Sequence, residues 1–178
     1  MPTQAEKGKV FRGLHQRDRA FIIPNPWDVG TARLLQSLGF AALATTSGGF
    51  AFTLTARSEN FIVGRPDLGD TIARLQAFQE AGADVLFAPG LKTKDDIRTV
   101  VRSVDRPLNV IMGLQGVQLS LAELSELGVK RISVGSALAR SALGAFLRAA
   151  REMQASGTFT FAEDAVKYAD LNAMFAGA

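Results

Sequence analysis

A polar run, RSEN at residues 57–60, follows the apolar stretch 52–56 (FTLTA) and is the first candidate for chemistry. An arginine placed directly after a strand lies at the strand's carboxyl end, where its forked guanidinium can bind a carboxylate through two hydrogen bonds. A solvent-facing arginine without a ligand is the alternative. Because the preceding stretch is apolar, we favour the binding interpretation and expect Arg57 to bind the carboxylate of a small molecule.

A second candidate is Ser47-Gly48-Gly49, which follows the apolar run 41–46 (AALATT). Glycines let backbone N–H groups approach a ligand closely, and a neighbouring hydroxyl can bind a carboxylate or phosphate oxygen. A glycine-rich hairpin turn explains the same residues equally well. The residues alone leave both interpretations open.

Two further positions lie where a predicted strand meets a predicted helix. Asp28 ends the turn PNPWD and precedes a helical pattern, so either Asp28 or Thr31 is the N-cap of that helix, and Asp28 is equally a candidate ligand contact, a role compatible with capping. Gly135-Ser136 also opens a helix, whose N-terminus could receive an anion. For that pair we favour tight packing of helix against strand.

The inventory of reactive residues excludes several kinds of site. The chain has no cysteine and one histidine, His15, which removes disulfides, thiolate chemistry and histidine-rich metal sites and leaves little room for a Ser–His–Asp triad. Asp28 and Glu59 are the only acids expected at strand carboxyl ends. Asp95 and Asp96 are expected at a solvated helix start. No spacing of acids indicates a magnesium site, so we predict no metal ligands.

Composition indicates one globular domain spanning residues 1–178. The chain is 47% hydrophobic and carries a net charge of +3, which is too weak a signal to predict binding to nucleic acid. No apolar run approaches the ~20 residues that cross a bilayer, so we expect no membrane partner. The first twenty residues lack the apolar core of a signal peptide, and a cytoplasmic location is the default expectation.

Apolar runs alternate with helical patterns along the chain. Strands are predicted at 20–23, 41–46, 52–56, 84–88, 107–112 and 131–134, and helices at 31–38, 70–81, 94–104, 120–127 and 137–154. Gly39, Gly82 and Gly128 each stand where a helix C′ residue is expected. This order predicts an α/β fold in which about six parallel strands form an incomplete TIM-like barrel covered by helices. Residues 158–178 are predicted to form a helical tail whose aromatic residues are packing anchors, namely Phe159, Phe161, Tyr168 and Phe175.

One connection breaks this alternation. Only six residues, SGGFAF, separate Thr46 from Thr53, whereas a parallel crossover needs about a dozen or more. The two runs therefore form a hairpin, or one of them is not a strand, or a part of a larger fold is absent here.

Three long segments together resemble the isocitrate lyase/phosphoenolpyruvate mutase superfamily, especially its small bacterial lyase-like members. They are FIIPNPWDVGTARLLQSLGFAALATTSGGFAF at 21–52, TLTARSENFIVGRPDLGDTIARLQAFQEAGADVLFAPG at 53–90 and RISVGSALARSALGAFLRAAREM at 131–153. The resemblance implies a TIM-like (β/α)₈ barrel and Mg²⁺-dependent cleavage or formation of C–C bonds in small 2-oxo or 2-hydroxy carboxylates. It also implies a homo-oligomer, since members often exchange a terminal helix between subunits.

The same resemblance suggests roles for individual residues. Ser47, Gly48 and Gly49 match the family's substrate-binding loop after the second strand, and Arg57 matches the arginine that binds the substrate carboxylate. Asp28 matches a position near the site that is polar in many members.

The chain also departs from the family pattern. It passes from the family's second strand directly into its fifth, which omits the acidic metal-binding motif after the third strand and a glutamate after the fourth. Pro89-Gly90 stands where lyase members have a glutamate after the sixth strand. The length of 178 residues is short of the ~250 of a complete barrel by about the missing units. We therefore expect lyase-type chemistry that is impaired in this chain. A non-catalytic carboxylate-binding or subunit-association module is the alternative, and an unrelated anion-binding α/β domain is a weaker one.

Overall fold

The computed structural model describes residues 3–44 and 54–176. Helices and strands alternate through most of this range. In chain order they are α1 (Gln4–Leu14), β1 (Phe21–Ile23), α2 (Val29–Ser37), β2 (Thr55–Arg57), α3 (Leu68–Glu80), β3 (Val85–Phe87), α4 (Lys94–Arg102), β4 (Leu108–Ile111), α5 (Leu121–Glu126), β5 (Arg131–Ser133), α6 (Ala137–Ser156), a 3-10 turn (Thr160–Asp164) and α7 (Tyr168–Ala176).

The five strands form one parallel sheet in the order β1-β5-β4-β3-β2. The last strand therefore lies beside the first, as it does where a barrel closes. Because every strand is parallel to its neighbour, all five carboxyl ends lie at the same edge of the sheet. This arrangement confirms the predicted α/β fold and fits an incomplete barrel.

The expected strand at 41–46 is wrong in its described part. Residues 41–44 lie outside the sheet, and their backbone is attached to the end of β1 by the Ala44 N–H, which donates to Pro24 O at 3.0 Å. The Asn25 side-chain amide donates in turn to Ala44 O at 2.9 Å. The described strands therefore number five rather than six. Residues 45–53, with the short connection 47–52, lie outside the described residues.

Local sequence signals explain the helix boundaries. The helices α1 to α5 each begin at a Thr, Asp or Ser whose side chain accepts from a backbone N–H in the first turn, a bond worth about 1 kcal/mol. Gly39, Gly82 and Gly128 adopt φ values of 80°, 96° and 92° just beyond α2, α3 and α5. This confirms the predicted C′ positions, because glycine reaches that region without a steric penalty.

The core lies mainly between the sheet and helices α3 to α5. Leu86, Val110 and Ile132 point towards the helices and pack with a buried set that includes Leu75, Ile97, Val100 and Leu124. On the other face of the sheet, Phe21 and Ile23 pack with Leu14 of α1. Burying a side chain of this size contributes roughly 1.5–3 kcal/mol. Apolar packing therefore covers both faces of the sheet, on one face against α3 to α5 and on the other against α1 at β1.

The carboxyl-terminal part packs less closely than expected. None of the twenty residues of α6 is buried, and α7 packs against α2. The prediction that the tail aromatic residues are packing anchors is wrong for two of them, because Phe159 is 65% exposed and Tyr168 is 86% exposed. Phe161 and Phe175 are partly covered. Among the described helices, none is long and apolar enough to cross a bilayer.

Candidate functional site

Arg57 is the last residue of β2, at the edge of the sheet where all the strands end. It lies directly beside Phe87 of β3 in the parallel register. The Arg57 guanidinium carbon is 5.0 Å from the centroid of the Phe87 ring, within the range of a cation–π interaction. Its side chain remains 43% exposed. The Phe87 ring thus packs against the guanidinium, which remains accessible to solvent.

Glu59 forms an ion pair with Arg57. Its Oε1 contacts Arg57 Nε, and Arg57 Nη2 donates to Glu59 Oε2 at 3.3 Å. The carboxylate thus takes the side-on edge of the guanidinium, the edge at which two parallel hydrogen bonds to a carboxylate can form. In this structure the carboxylate on that edge is the chain's own.

The rest of the loop after β2 is fixed by a chain of hydrogen bonds. The Ser58 N–H donates to Phe87 O at 2.9 Å, and its hydroxyl donates to Asn60 Oδ1 at 2.9 Å. The Asn60 amide donates to Asp70 Oδ2 at 2.5 Å, and Arg74 Nε donates to the same oxygen at 2.7 Å. The hydrogen bonds from Arg74 and Asn60 lower the pKa of Asp70 below its usual value. Sequence reasoning missed this pair, although Asp70 and Arg74 have the i, i+4 spacing of a helical ion pair.

These residues line a cavity of about 420 Å³ beside β2 and the start of α3. Its charged lining consists of Arg57, Glu59, Arg65, Asp67, Asp70 and Arg74. The lining thus carries three cationic and three anionic side chains, and Arg57 is one of the cations that a small anionic molecule could meet there.

Two glycines let the neighbouring loops approach closely. At Gly90, with φ 95°, a Cβ would lie 2.8 Å from Phe61 Cβ of the loop after β2. At Gly113, with φ 79°, a Cβ would lie 2.6 Å from Ala137 Cβ at the start of α6. Ser136, the N-cap of α6, makes no side-chain capping bond. The close contacts favour the packing interpretation of Gly135-Ser136, since a Cβ on Gly135 would lie 3.0 Å from Ile111 Cδ1.

Asp28 is the N-cap of α2. Its Oδ1 accepts from the Thr31 N–H at 2.7 Å and from the Thr31 hydroxyl at 3.0 Å. These bonds from Thr31, the backbone bond first, lower the pKa of Asp28. The capping interpretation is confirmed, and a ligand role for Asp28 stays a prediction. Ser47, Gly48 and Gly49 lie outside the described residues.

A row of neighbouring side chains, three of them polar, crosses the sheet from Arg57 to Arg131. The register places Arg57 beside Phe87, Phe87 beside Asn109, and Asn109 beside Arg131. Arg131 Nε donates to Asn109 Oδ1 at 2.9 Å, and Arg131 Nη2 donates to Thr55 Oγ1 at 3.2 Å. Burial lowers the pKa of Arg131 to about 10. The sequence signal was present, since Asn109 and Arg131 interrupt otherwise apolar runs.

The carboxylates do not form a metal-binding group. No three acidic or histidine side chains cluster among the described residues. The undescribed stretches, MP, TTSGGFAFT and GA, contain no acidic residue, so every acid of the chain has been placed. Mg²⁺ takes oxygen ligands and is commonly bound through one or two carboxylates. At the strand carboxyl ends Asp28 caps a helix and Glu59 pairs with Arg57, so the donor set does not fit a magnesium ion.

The sequence matches the phosphoenolpyruvate phosphomutase family over residues 11–54 and 48–154. The two matched segments overlap at residues 48–54, in the region of the short connection 47–52. The match covers well over half of the chain.

The chain is also similar to solved structures and to curated sequences. A protein of Burkholderia cenocepacia J2315 described as a lyase/mutase is 41% identical, with a TM-score of 0.91 over 97% of this chain and 96% of its own. Phosphonopyruvate hydrolase, solved with oxalate and Mg²⁺, is 17% identical with a TM-score of 0.73 over 96% of this chain and 95% of its own, a similarity of fold alone. The oxaloacetate decarboxylase of Paraburkholderia xenovorans is 26% identical over 143 residues, which cover 72% of this chain and 46% of that enzyme.

The chain spans between 29% and 46% of the length of the curated relatives that it matches. Much of each of those relatives therefore has no counterpart in the matched segments.

Proposed function

The chain belongs to the phosphoenolpyruvate mutase/isocitrate lyase superfamily, and from that membership we propose that it binds a small 2-oxo or 2-hydroxy carboxylate at Arg57. We propose further that the superfamily's Mg²⁺-dependent carbon–carbon lyase chemistry is impaired in this chain. The observation that carries the proposal is the position of Arg57 at the carboxyl edge of the sheet, where the Phe87 ring supports its guanidinium.

The hydrogen-bonding geometry of a guanidinium and the ligands of related proteins both support the proposal that the ligand is a carboxylate. A guanidinium offers paired N–H donors that match the two oxygens of a carboxylate. The related decarboxylase is named for oxaloacetate, and the related hydrolase was solved with oxalate. Ser47 and the amides of Gly48 and Gly49 are proposed, on the family resemblance, to bind the other end of the ligand. Asp28 is proposed to lie nearby.

The proposed impairment of the lyase activity rests on the positions of the acidic side chains. A bound Mg²⁺ would polarise a carbonyl or alkoxide oxygen of the substrate and stabilise negative charge on it. Here the described acids do not converge on such a position, and neither Asp28 nor Glu59 is free of a structural partner. The chain therefore retains residues that can bind and orient a carboxylate, while the ligands for the ion are not assembled.

Binding is tested by isothermal titration calorimetry with oxalate and pyruvate on the wild type and on Arg57→Ala. We expect the substitution to weaken oxalate binding by at least about tenfold, because a charge-assisted bidentate bond contributes roughly 1.5–3 kcal/mol. Arg98→Ala is the matched control, since Arg98 pairs with Asp95 on α4 and does not line the cavity. Unchanged binding by Arg57→Ala would refute the assignment.

Catalysis is tested by oxaloacetate turnover with and without Mg²⁺, measured beside the Paraburkholderia xenovorans decarboxylase. We expect turnover at least about 100-fold slower than that of the decarboxylase, a difference of about 2.7 kcal/mol in activation free energy. A comparable rate would overturn the impairment.

A role in subunit association is favoured by a separate observation. Leu143, Phe146 and Leu147 of α6 are 59%, 66% and 47% exposed, and their spacing places them on one side of the helix. We propose that the chain folds as a single domain and forms a homo-oligomer in which this face of α6 is covered by a second copy.

A further inference from the structure

We propose that Glu59 is an internal competitor for the Arg57 guanidinium, and that a ligand carboxylate binds by displacing it. The inference rests on the proposed binding of a carboxylate at Arg57. It adds a residue that selects for ligands with a full carboxylate and sets the affinity of the site.

The Arg57–Glu59 ion pair occupies the edge of the guanidinium that a ligand would need. Both Glu59 carboxylate oxygens face the same edge of Arg57, one at Nε and the other at Nη2. A ligand carboxylate would use that edge for a side-on pair of hydrogen bonds. The two carboxylates therefore exclude one another from it.

The Glu59 side chain can leave Arg57 without disturbing the loop. Its main chain is fixed, because Glu59 O accepts from the N–H groups of Ile62 at 2.9 Å and Val63 at 3.1 Å. Its side chain is 45% exposed. Among the described residues, Arg57 supplies the only hydrogen bond to the carboxylate. Rotation of the side chain alone would carry the carboxylate into water.

Arg57 keeps its position when the Glu59 carboxylate departs. Its guanidinium lies over the Phe87 ring at 5.0 Å, a contact independent of Glu59. The backbone on its carboxyl side is held by the Ser58 N–H, which donates to Phe87 O at 2.9 Å. Displacement therefore leaves a placed, unpaired guanidinium ready for a ligand.

Competition of this kind favours one chemical class. A ligand must replace a charged, bidentate partner, which a carboxylate does with two charged oxygens of its own, whereas a neutral carbonyl or amide offers one weaker acceptor. An exposed ion pair shifts an equilibrium constant by a factor of only about two to five. Glu59 is therefore expected to raise the dissociation constant for a carboxylate modestly rather than to block the site.

The test is calorimetric titration of oxalate into the wild type, Glu59→Gln and Glu126→Gln. Glutamine has the shape of glutamate without its charge. Glu126 is exposed at the carboxyl end of α5, which lies near the amino ends of the strands and so at the opposite edge of the sheet from Arg57. Glu126→Gln removes the same charge as Glu59→Gln and therefore controls for the change in net charge. We expect Glu59→Gln to bind oxalate about two to five times more tightly and Glu126→Gln to match the wild type. Circular dichroism checks that each variant is folded, and Glu59→Ala provides a second variant.

The outcomes separate this inference from the proposed function. Tighter binding by Glu59→Gln, lost again in the double variant Arg57→Ala/Glu59→Gln, supports the competitor. Unchanged or weaker oxalate binding by both Glu59 variants overturns it and makes Glu59 a positioning residue or a bystander. Oxalate binding that is insensitive to Arg57→Ala, or absent from the wild type and Glu59→Gln alike, counts against the proposed carboxylate site itself.

Discussion

Arg57 and Phe87 are direct neighbours in adjacent parallel strands, and the guanidinium carbon of one lies 5.0 Å from the ring centroid of the other. They are thirty positions apart in the sequence. The ring covers one side of the guanidinium, which leaves its edge for hydrogen bonds. The pairing therefore gives a long, flexible side chain a defined place at the carboxyl edge of the sheet.

Phe87→Leu is expected to weaken oxalate binding by about two- to fivefold, because a partly exposed cation–π contact contributes about 0.5–1 kcal/mol. Leucine keeps an apolar side chain there but has no aromatic face to hold the guanidinium. Calorimetry measures the change, with Phe159→Leu, at an exposed residue of the tail, as the control. Equal affinity in the wild type and Phe87→Leu would show that the ring does not position Arg57.

Asn109→Ala is expected to lower the free energy of unfolding by about 1–3 kcal/mol. Asn109 is 1% exposed and accepts from Arg131 Nε at 2.9 Å, so its removal leaves a buried charged donor without that partner. Chemical denaturation measures the loss. Asn172→Ala, at an exposed position of α7, should change the free energy by less than about 0.5 kcal/mol. A similar small change for Asn109→Ala would mean that other groups satisfy Arg131.

The α/β organisation could be predicted from sequence because it is encoded locally. Apolar runs fix the strands, and Gly39, Gly82 and Gly128 fix helix ends through their own backbone conformation. The position of Arg57 at the carboxyl end of a strand was predictable for the same reason, since it directly follows an apolar run. The first helix was missed although Thr3 and Glu6 form a capping box, a pattern visible in the sequence.

The contacts that define the site depend instead on the register between strands. Nothing near Phe87 in the sequence indicates that it supports Arg57, and nothing near Arg131 indicates that Asn109 accepts its Nε–H. Parallel pairing brings these side chains together over long separations. The Glu59 ion pair is local, but its choice of the guanidinium edge is set by side-chain conformation rather than by spacing.

Phe146→Asp is expected to convert an oligomer into a monomer. Phe146 is 66% exposed beside Leu143 and Leu147, and a charge at the centre of a covered apolar face costs more than the interface can compensate. Light scattering coupled to gel filtration measures the mass. Ala145→Asp adds the same charge at an exposed position outside the row of Leu143, Phe146 and Leu147 and should leave the mass unchanged. A wild-type monomer would refute the proposed role of α6.

Stability is expected to fall as the pH drops from 7.5 to 5.5, and His15 is the cause. His15 is the chain's single histidine and is 5% exposed, packed edge-on against Phe11 and Phe21. Burial, and then the nearby charge of Arg131, lower its pKa, while hydrogen bonding to the backbone of Phe11 and Arg12 and the more distant charge of Asp84 oppose the shift. The unfolded chain therefore binds a proton at a higher pH than the folded chain does.

Because the unfolded state takes up more protons in this window, the free energy of unfolding decreases as the pH falls below the ordinary histidine value of 6.5. One pH unit of this difference corresponds to at most about 1.4 kcal/mol. Chemical denaturation at pH 7.5 and 5.5 measures it in the wild type and in His15→Leu, which fills the same apolar position without a titrating group. Where the fold shifts the pKa of a carboxyl group, it lowers that pKa, for Glu123 to about 2. Protonation of these carboxyl groups therefore lowers the stability at a more acidic pH than that of histidine titration. The wild type should lose stability between the two pH values and His15→Leu should not. An equal loss in both proteins would assign the pH dependence to groups other than His15.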